Sequence, residues 1–301
     1  MNFSTPPNGE WPSEPPTVEI VHNIDPDKIG IVAGSGQFPL LFIQAAHEAG
    51  RKVCLVAHKE ETAVEVAEAA DSVQWVKLGQ LGKIISYFHK QEVGETVFLG
   101  AITKTRMFRN VMPDFKGLSL WNKIDTRQDD AVLRAVAGAL EEENVRVLES
   151  TLYLQDLLFP QGVLTKKKPS KDQVLDIEFG WKNIRAVGAL DIGQSIVVRD
   201  RTVVAVEAIE GTDAAILRGG QLARKNAVVV KVKKPNQDFR FDLPATGIKT
   251  IETLASVGGK VLAVEAGQSL LFDREATISA ANRAGIVLVG IKELSDGRLE
   301  Y

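Results

Sequence analysis

The stretch Lys28-Ile29-Gly30-Ile31-Val32-Ala33-Gly34-Ser35-Gly36-Gln37-Phe38-Pro39-Leu40-Leu41-Phe42-Ile43-Gln44-Ala45-Ala46 decides the fold class. Its opening run is short, apolar, β-branched and closed by glycine, as a buried parallel strand requires. After the Gly34-Ser35-Gly36 turn, residues 39–46 read as a helix, with proline in the first turn, where a missing N–H costs nothing. Gly50 ends that helix. Residues 52–57 and 72–78 read as further strands, and Leu81, Ile84, Ile85 and Phe88 repeat at helical spacing. Thr96 to Gly100 is another strand. Asp129 and Asp130 precede a helix through 131–136, where an acidic residue can cap free amides. Strands alternating with helices at this spacing predict an α/β domain with a Rossmann-like parallel sheet.

The composition of Pro160-Gln-Gly-Val-Leu-Thr-Lys-Lys-Lys-Pro-Ser-Lys171 marks a boundary. Beyond it Val174, Ile177, Trp181, Ile184 and Val187 share one helical face. Two β-branched runs, 195–198 and 203–206, flank Arg199-Asp200-Arg201-Thr202 as a hairpin would. A helix from Thr212, a strand over 227–232, a helix near 249–257 and strands at 261–264 and 286–289 complete a second α/β unit. The expected organisation is a flexible leader over 1–27, an N-terminal domain over 28–165 and a C-terminal catalytic domain over 166–301, with the substrate cleft between the domains. The leader expectation rests on proline, six of whose twelve copies fall in the first 26 residues.

Composition narrows the function. The chain has 301 residues, about twice a usual domain. Lysine plus arginine number 36 against 39 aspartate plus glutamate, a net charge of -3, so a nucleic-acid partner held by bulk positive charge is not expected. The single cysteine, Cys54, lies in an apolar run and reads as a buried strand residue. No apolar stretch is long enough to span a membrane, and no basic segment followed by an apolar one opens the chain. The expected location is therefore cytoplasmic. The four histidines stand at least 11 positions apart, which argues against a zinc site and leaves oxygen ligands for any metal.

Three groups of residues suggest chemistry. Gly34-Ser35-Gly36 joins a strand to a helix N-terminus, where amides and dipole suit a phosphate. It is neither a Walker loop nor a full dinucleotide fingerprint, since Pro39 stands where the third glycine belongs. Asp191, Glu207, Glu210, Asp213, Asp242 and Glu265 follow apolar strands, where carboxylates can converge on a hard cation such as magnesium. Thr212 or Asp213 could instead cap the next helix. Lys231, Lys233, Lys234 and Arg240 surround Pro235-Asn236-Gln237-Asp238, cations suited to a diphosphate. Lys166-Lys167-Lys168 is a solvated linker or a weak contact for an anionic membrane surface.

These residues also carry a resemblance. Ile31 to Pro39, Asp129 to Arg134, Leu190-Asp191-Ile192-Gly193-Gln194, Ala205 to Asp213 and Lys234 to Gly247 occur in that order. Together they resemble the UDP-2,3-diacylglucosamine pyrophosphatase family of the type lacking a metallophosphoesterase domain. The likeness runs from about Lys28 to Ile291, and the segments 205–213 and 234–247 are its specific parts. Two stretches depart from the pattern, the proline-rich leader and Gly100-Ala101-Ile102-Thr103-Lys104.

The resemblance implies two domains with an acylated UDP-sugar between them. It also implies magnesium and hydrolysis of the diphosphate to UMP and 2,3-diacylglucosamine 1-phosphate on the way to lipid A. It implies Asp242 as the essential aspartate. Among the acids read above, Glu210, Asp213 and Asp242 are the expected metal ligands. Gly34, Ser35, Gly36, Gln194, Thr212, Lys234, Gln237, Arg240 and Thr246 become the expected substrate contacts. A homodimer and peripheral contact with the cytoplasmic membrane face belong to the same expectation. The residues alone leave open a non-catalytic sensor of a nucleotide-linked lipid, or a nicotinamide-dependent oxidoreductase.

Overall fold

A computed structural model of the chain describes residues 23–102, 112–121, 129–235, 237–241 and 243–301. The N-terminal half builds β1 (Lys28–Ala33), α1 (Phe38–Glu48), β2 (Lys52–His58), α2 (Val64–Glu68), β3 (Ser72–Val76), α3 (Leu81–Lys90) and β4 (Glu95–Leu99). It continues through α4 (Phe115–Trp121), α5 (Asp129–Glu141) and β5 (Arg146–Val147). The five strands pair in parallel in the order β3-β2-β1-β4-β5. Successive side chains of a strand face opposite sides. Ile29, Ile31 and Ala33 therefore enter the core beneath α1 with Phe42 and Leu55, while Val32 enters the opposite one with Val56, Phe88 and Phe98. Gly30 faces Phe88, whose ring would lie 2.8 Å from any β-carbon there. Cys54 is buried, as expected.

The C-terminal half contains β6 (Gly162–Val163), α6 (Lys171–Ala189), β7 (Ser195–Arg199), β8 (Thr202–Val206), α7 (Thr212–Ala223), β9 (Val228–Lys231) and β10 (Ala245–Thr246). Then come α8 (Ile248–Ser256), β11 (Val261–Glu265), β12 (Leu270–Leu271), α9 (Arg274–Ala284), β13 (Val287–Glu293) and β14 (Leu299–Glu300). Its main sheet runs β14-β13-β11-β9-β7-β8. Strands β9, β11 and β13 are parallel, and β7 runs antiparallel to both β9 and β8. The β7–β8 hairpin turns through Asp200 and Arg201, both at positive φ (49° and 55°), the backbone that matches strand twist. Asp176, buried in α6, accepts the N–H groups of both residues. Helix α6 opens with a capping box between Ser170 and Gln173.

Some expectations change. Gly162 and Val163, read from composition as linker, add a short edge strand to β13. The last residues of the expected leader are attached: the Asp25 N–H donates to the Glu92 carbonyl at 2.9 Å. Residues 1–22 lie outside the described residues. Helix α5 begins at Asp129 itself, and the side chains of Asp129 and Asp130 lie outside the described residues.

The two halves share a core. Phe241 packs into the N-terminal cluster of Val32 and Phe98, with ring centroids 5.6 Å apart and planes at 86° to Phe98. Leu243 and Leu270 pack into the opposite cluster with Phe38 and Phe42. Phe38 meets Phe272 edge to face at 5.7 Å. Phe241 is 6% exposed, so Phe241→Ala is expected to cost about 3–5 kcal/mol of stability, as for a buried aromatic truncation. Denaturant titration of purified protein checks this; a loss below about 1 kcal/mol would show that the segment is not part of the shared core.

Candidate functional site

Strand direction collects the polar residues on one edge. In the C-terminal sheet, the carboxyl ends of β8, β9 and β11 and the amino end of the antiparallel β7 lie together. Lys231 at the end of β9 is therefore in register with Ser195 at the start of β7. Glu207 follows β8, and its N–H donates to the Ser195 carbonyl at 2.9 Å. Helix α7 starts at the same edge with Thr212. Its N-cap is Gly211, at φ 85°, and no side chain caps it, so Thr212 and Asp213 do not serve as caps.

A chain of hydrogen bonds joins these groups. The Lys231 ammonium, 3% exposed, donates to Thr212 Oγ1 at 3.2 Å and to the Ala245 carbonyl at 2.7 Å. Ser195 Oγ lies 3.4 Å from Thr212 Oγ1. Thr212 in turn donates to Glu207 Oε1 at 3.1 Å. Glu207 is 6% exposed, and its other oxygen, Oε2, is buried with no partner among the described residues. Gln194 Oε1 and Thr246 Oγ1 are likewise buried and unmatched. Buried polar atoms are normally satisfied, so three unmatched oxygens in one neighbourhood mark a place for a ligand, an ion or water.

The remaining acids do not converge. Glu210 Oε1 pairs with Arg218 at 2.6 Å and Asp213 with Lys249 at 3.3 Å. The Arg218 hydrogen bond holds the Glu210 carboxyl below its usual range. Asp191 pairs with Lys234 at 2.5 Å, and Glu265 with Arg185 at 2.5 Å. Among the described residues no group of three or more His, Cys, Asp or Glu side chains is set to hold a metal. Glu210 and Glu265 do lie at or after strand ends, but Asp191 follows helix α6 rather than a strand, and each of these four acids finds a cation on a neighbouring element.

The expected diphosphate cations are similarly engaged. Lys234 is held by Asp191. Arg240 pairs with Asp238 at 2.9 Å and with Glu141 of α5 at 3.1 Å, and lies over the Phe241 ring. Burial raises the Asp238 pKa, but the Arg240 hydrogen bonds outweigh it and hold the carboxyl below its usual range. Gln237, 5% exposed, ties the loop: its Oε1 accepts the Lys234 N–H at 3.3 Å, and its carbonyl accepts from Lys233 Nζ at 2.8 Å. Asp242 and Asn236 lie outside the described residues, while Phe241 and Leu243, on either side of Asp242, are anchored in the N-terminal core.

The glycine turn has a different reason for its composition. It stands where β1 is flanked by β2 on one side and β4 on the other, the switch point of the sheet. A β-carbon on Gly34 would lie 2.4 Å from the Ala101 carbonyl oxygen. Ser35 donates from both N and Oγ to that oxygen, each at 2.8 Å. The neighbouring backbone thus demands Gly34, and Ser35 donates to the same carbonyl. Gly36, at φ 98°, has open space around it. Thr103 and Lys104, in the departing stretch, lie outside the described residues.

Sequence reasoning missed two supports. Arg185 clamps Glu265, donates to Glu293 at 3.0 Å and stacks on Trp181; the i, i+4 spacing of Trp181 and Arg185 on one helix carried that signal. His58 lies buried behind the glycine turn, with Nδ1 at 2.9 Å from the Ala33 carbonyl, which also accepts from Thr62 Oγ1 at 2.8 Å. No sequence pattern singles His58 out. Among the described residues, no helix is long and apolar enough to cross a membrane.

Two α/β domains sharing a core, with a buried polar chain on one sheet edge, define the class of protein. Comparison with known proteins makes it particular. Residues 28–157 match the family model described as the LpxI N-terminal domain, and residues 160–289 the LpxI C-terminal domain. The chain belongs to the LpxI family. It is 32% identical over 277 residues to the UDP-2,3-diacylglucosamine pyrophosphatase LpxI of Caulobacter vibrioides, covering 88% of this chain and 97% of that relative. Solved structures are more distant. The crystal structure of gox2253 gives a TM-score of 0.28 at 10% identity, covering 67% of this chain and 71% of that one. N5-carboxyaminoimidazole synthetase from Staphylococcus aureus gives 0.22 at 16%, covering 59% and 39%.

Burial depresses the pKa of His58, so the folded state holds the ring neutral while the unfolded chain protonates near pH 6.5. Its share of stability is present above that pH and lost as pH falls below it. His58→Gln is expected to flatten the fall in denaturation midpoint between pH 7.5 and pH 5.5; a fall as steep as wild type would mean that His58 is not the group responsible.

Proposed function

We propose that this chain hydrolyses the diphosphate of UDP-2,3-diacylglucosamine to UMP and 2,3-diacylglucosamine 1-phosphate, a step towards lipid A. The observation that carries this reading is the near full-length relationship to the Caulobacter vibrioides pyrophosphatase. In the reaction, water adds to one phosphorus of the diphosphate and the bond from that phosphorus to the bridging oxygen breaks. The proton of the water passes to a carboxylate. Asp242 is our assignment for the essential carboxylate, from its place in Arg240-Phe241-Asp242-Leu243-Pro244. The buried polar edge supports the reading by setting the unmatched oxygens of Glu207, Gln194 and Thr246 in a site shielded from water, where polar groups act most strongly. The two acyl chains need an apolar surface, for which the junction of the two domains is our assignment.

Magnesium belongs to the same proposal. Glu210 and Asp213 already face the cations Arg218 and Lys249, so they are not our assignment for its ligands. Glu207 does fit, since an unmatched buried carboxyl oxygen beside other oxygen donors is the chemistry a hard cation takes. Glu207 and Asp242 are the residues that would hold the ion, which when bound neutralises charge on the diphosphate. Because the substrate carries two acyl chains, contact with the cytoplasmic face of a membrane is part of this reading.

Release of UMP from UDP-2,3-diacylglucosamine tests it. Wild type with magnesium is expected to turn over. Chelator should abolish release, and Asp242→Ala should lower kcat by roughly two orders of magnitude or more, the usual worth of a group that handles the proton. No release by folded wild type overturns the reading. An undiminished rate in chelator removes magnesium, and an undiminished rate in Asp242→Ala removes that residue.

A further inference from the structure

The Lys231 ammonium is deeply buried and could have been satisfied by backbone alone, yet it reaches a side chain at the start of another element. Its bond to Thr212 Oγ1 occupies a lone pair of that oxygen. A hydroxyl has one proton and two lone pairs. With Lys231 donating into one lone pair and Ser195 Oγ 3.4 Å away on another side, the single Thr212 proton is directed to Glu207 Oε1. One oxygen of the carboxyl is thereby engaged, and Oε2, in a buried site, has no partner among the described residues. The same ammonium holds the Ala245 carbonyl at 2.7 Å, next to Thr246, whose hydroxyl is also unmatched. One charged group therefore ties β9 to the start of α7 and to β10, and governs which oxygens are left for a ligand.

We propose that Lys231 is a positioning residue, which through the Thr212 hydroxyl fixes the orientation of the Glu207 carboxyl and so reserves Oε2 for the reacting complex. The inference rests on the hydrolase reading and goes beyond it by naming how the carboxyl is held. Groups that act as one unit lose their effect together rather than separately. Lys231 and Thr212 form such a unit, while packing alone would make their losses multiply.

The test is a double-mutant cycle on UMP release by the full chain, with Lys231→Met, Thr212→Val and both together. Thermal denaturation and calorimetric binding of UMP without magnesium are measured on every variant. Each single change is expected to lower kcat about tenfold or more, and the double variant should fall no further than the worse single one. Thr212→Ser, which keeps the hydroxyl, should recover most of the rate that Thr212→Val loses. Folding of Lys231→Met is checked by its melting transition; if it does not fold, Lys231→Gln takes its place in the cycle. Multiplicative losses, a kcat for the lysine variant within twofold of wild type, or a serine variant as impaired as the valine one overturns the proposal while leaving the hydrolase reading intact. Wild type that binds UMP but releases none from the substrate overturns both.

Discussion

Phe241 and Leu243 belong to the C-terminal half of the chain, yet they are buried in the two cores on either side of the N-terminal sheet. The rest of the arrangement depends on this crossing. Burial of large apolar side chains is the main favourable term in folding, and here it is spent on holding one half against the other. The segment that returns from Phe239 to Thr246 is pinned at Phe241 and Leu243 before it joins β12 through β10. Arg240, between them and the loop, adds a bridge to Glu141 in the N-terminal half. The loop bearing the basic and acidic residues of this edge therefore has both domains as its frame.

The second organising fact is strand direction. Had β7 run parallel to β9, its amino end, with Gln194 and Ser195, would lie at the opposite edge of the sheet. The antiparallel pairing sets Ser195 against Lys231, and the tight β7–β8 hairpin returns the chain so that Glu207 arrives at the same edge. A buried lysine then needs acceptors, and it finds them in Thr212 and Ala245. A buried charge left unmatched is expensive. That cost is what selects the conformation of three separate chain segments at once.

Much of this was legible in residue order. The strand-turn-helix unit at 28–46, the hairpin through Asp200 and Arg201, the burial of Cys54 and the face of Ile177, Trp181 and Ile184 follow from periodicity and turn chemistry, which are local. Less legible were the roles of short polar residues. Gly34 and Ser35 read as a phosphate cradle, but their nearest demand is the carbonyl of Ala101, 66 positions away along the chain from Ser35. Glu210 and Asp213 read as metal ligands because they follow a strand, and only the fold sets Arg218 of α7 and Lys249 of α8 against them. Arg185, Ser195 and His58 gain their significance only from what is folded onto them.

By itself the sequence determined two α/β domains, their order, the positions of most strands and helices, and the motifs by which the chain is placed in the LpxI family. These are consequences of side-chain period and of residue types that act over a few positions. Only the tertiary structure decided how these acids are paired, and that Glu207 is the acid left with a buried unmatched oxygen among the described residues. It alone decided that the domains share a core. The reason is physical: hydrophobic period reports which face is buried, but the partner of a charge is whichever opposite charge the fold brings within about 3 Å, and that proximity is written in strand order and direction rather than in any local run of residues.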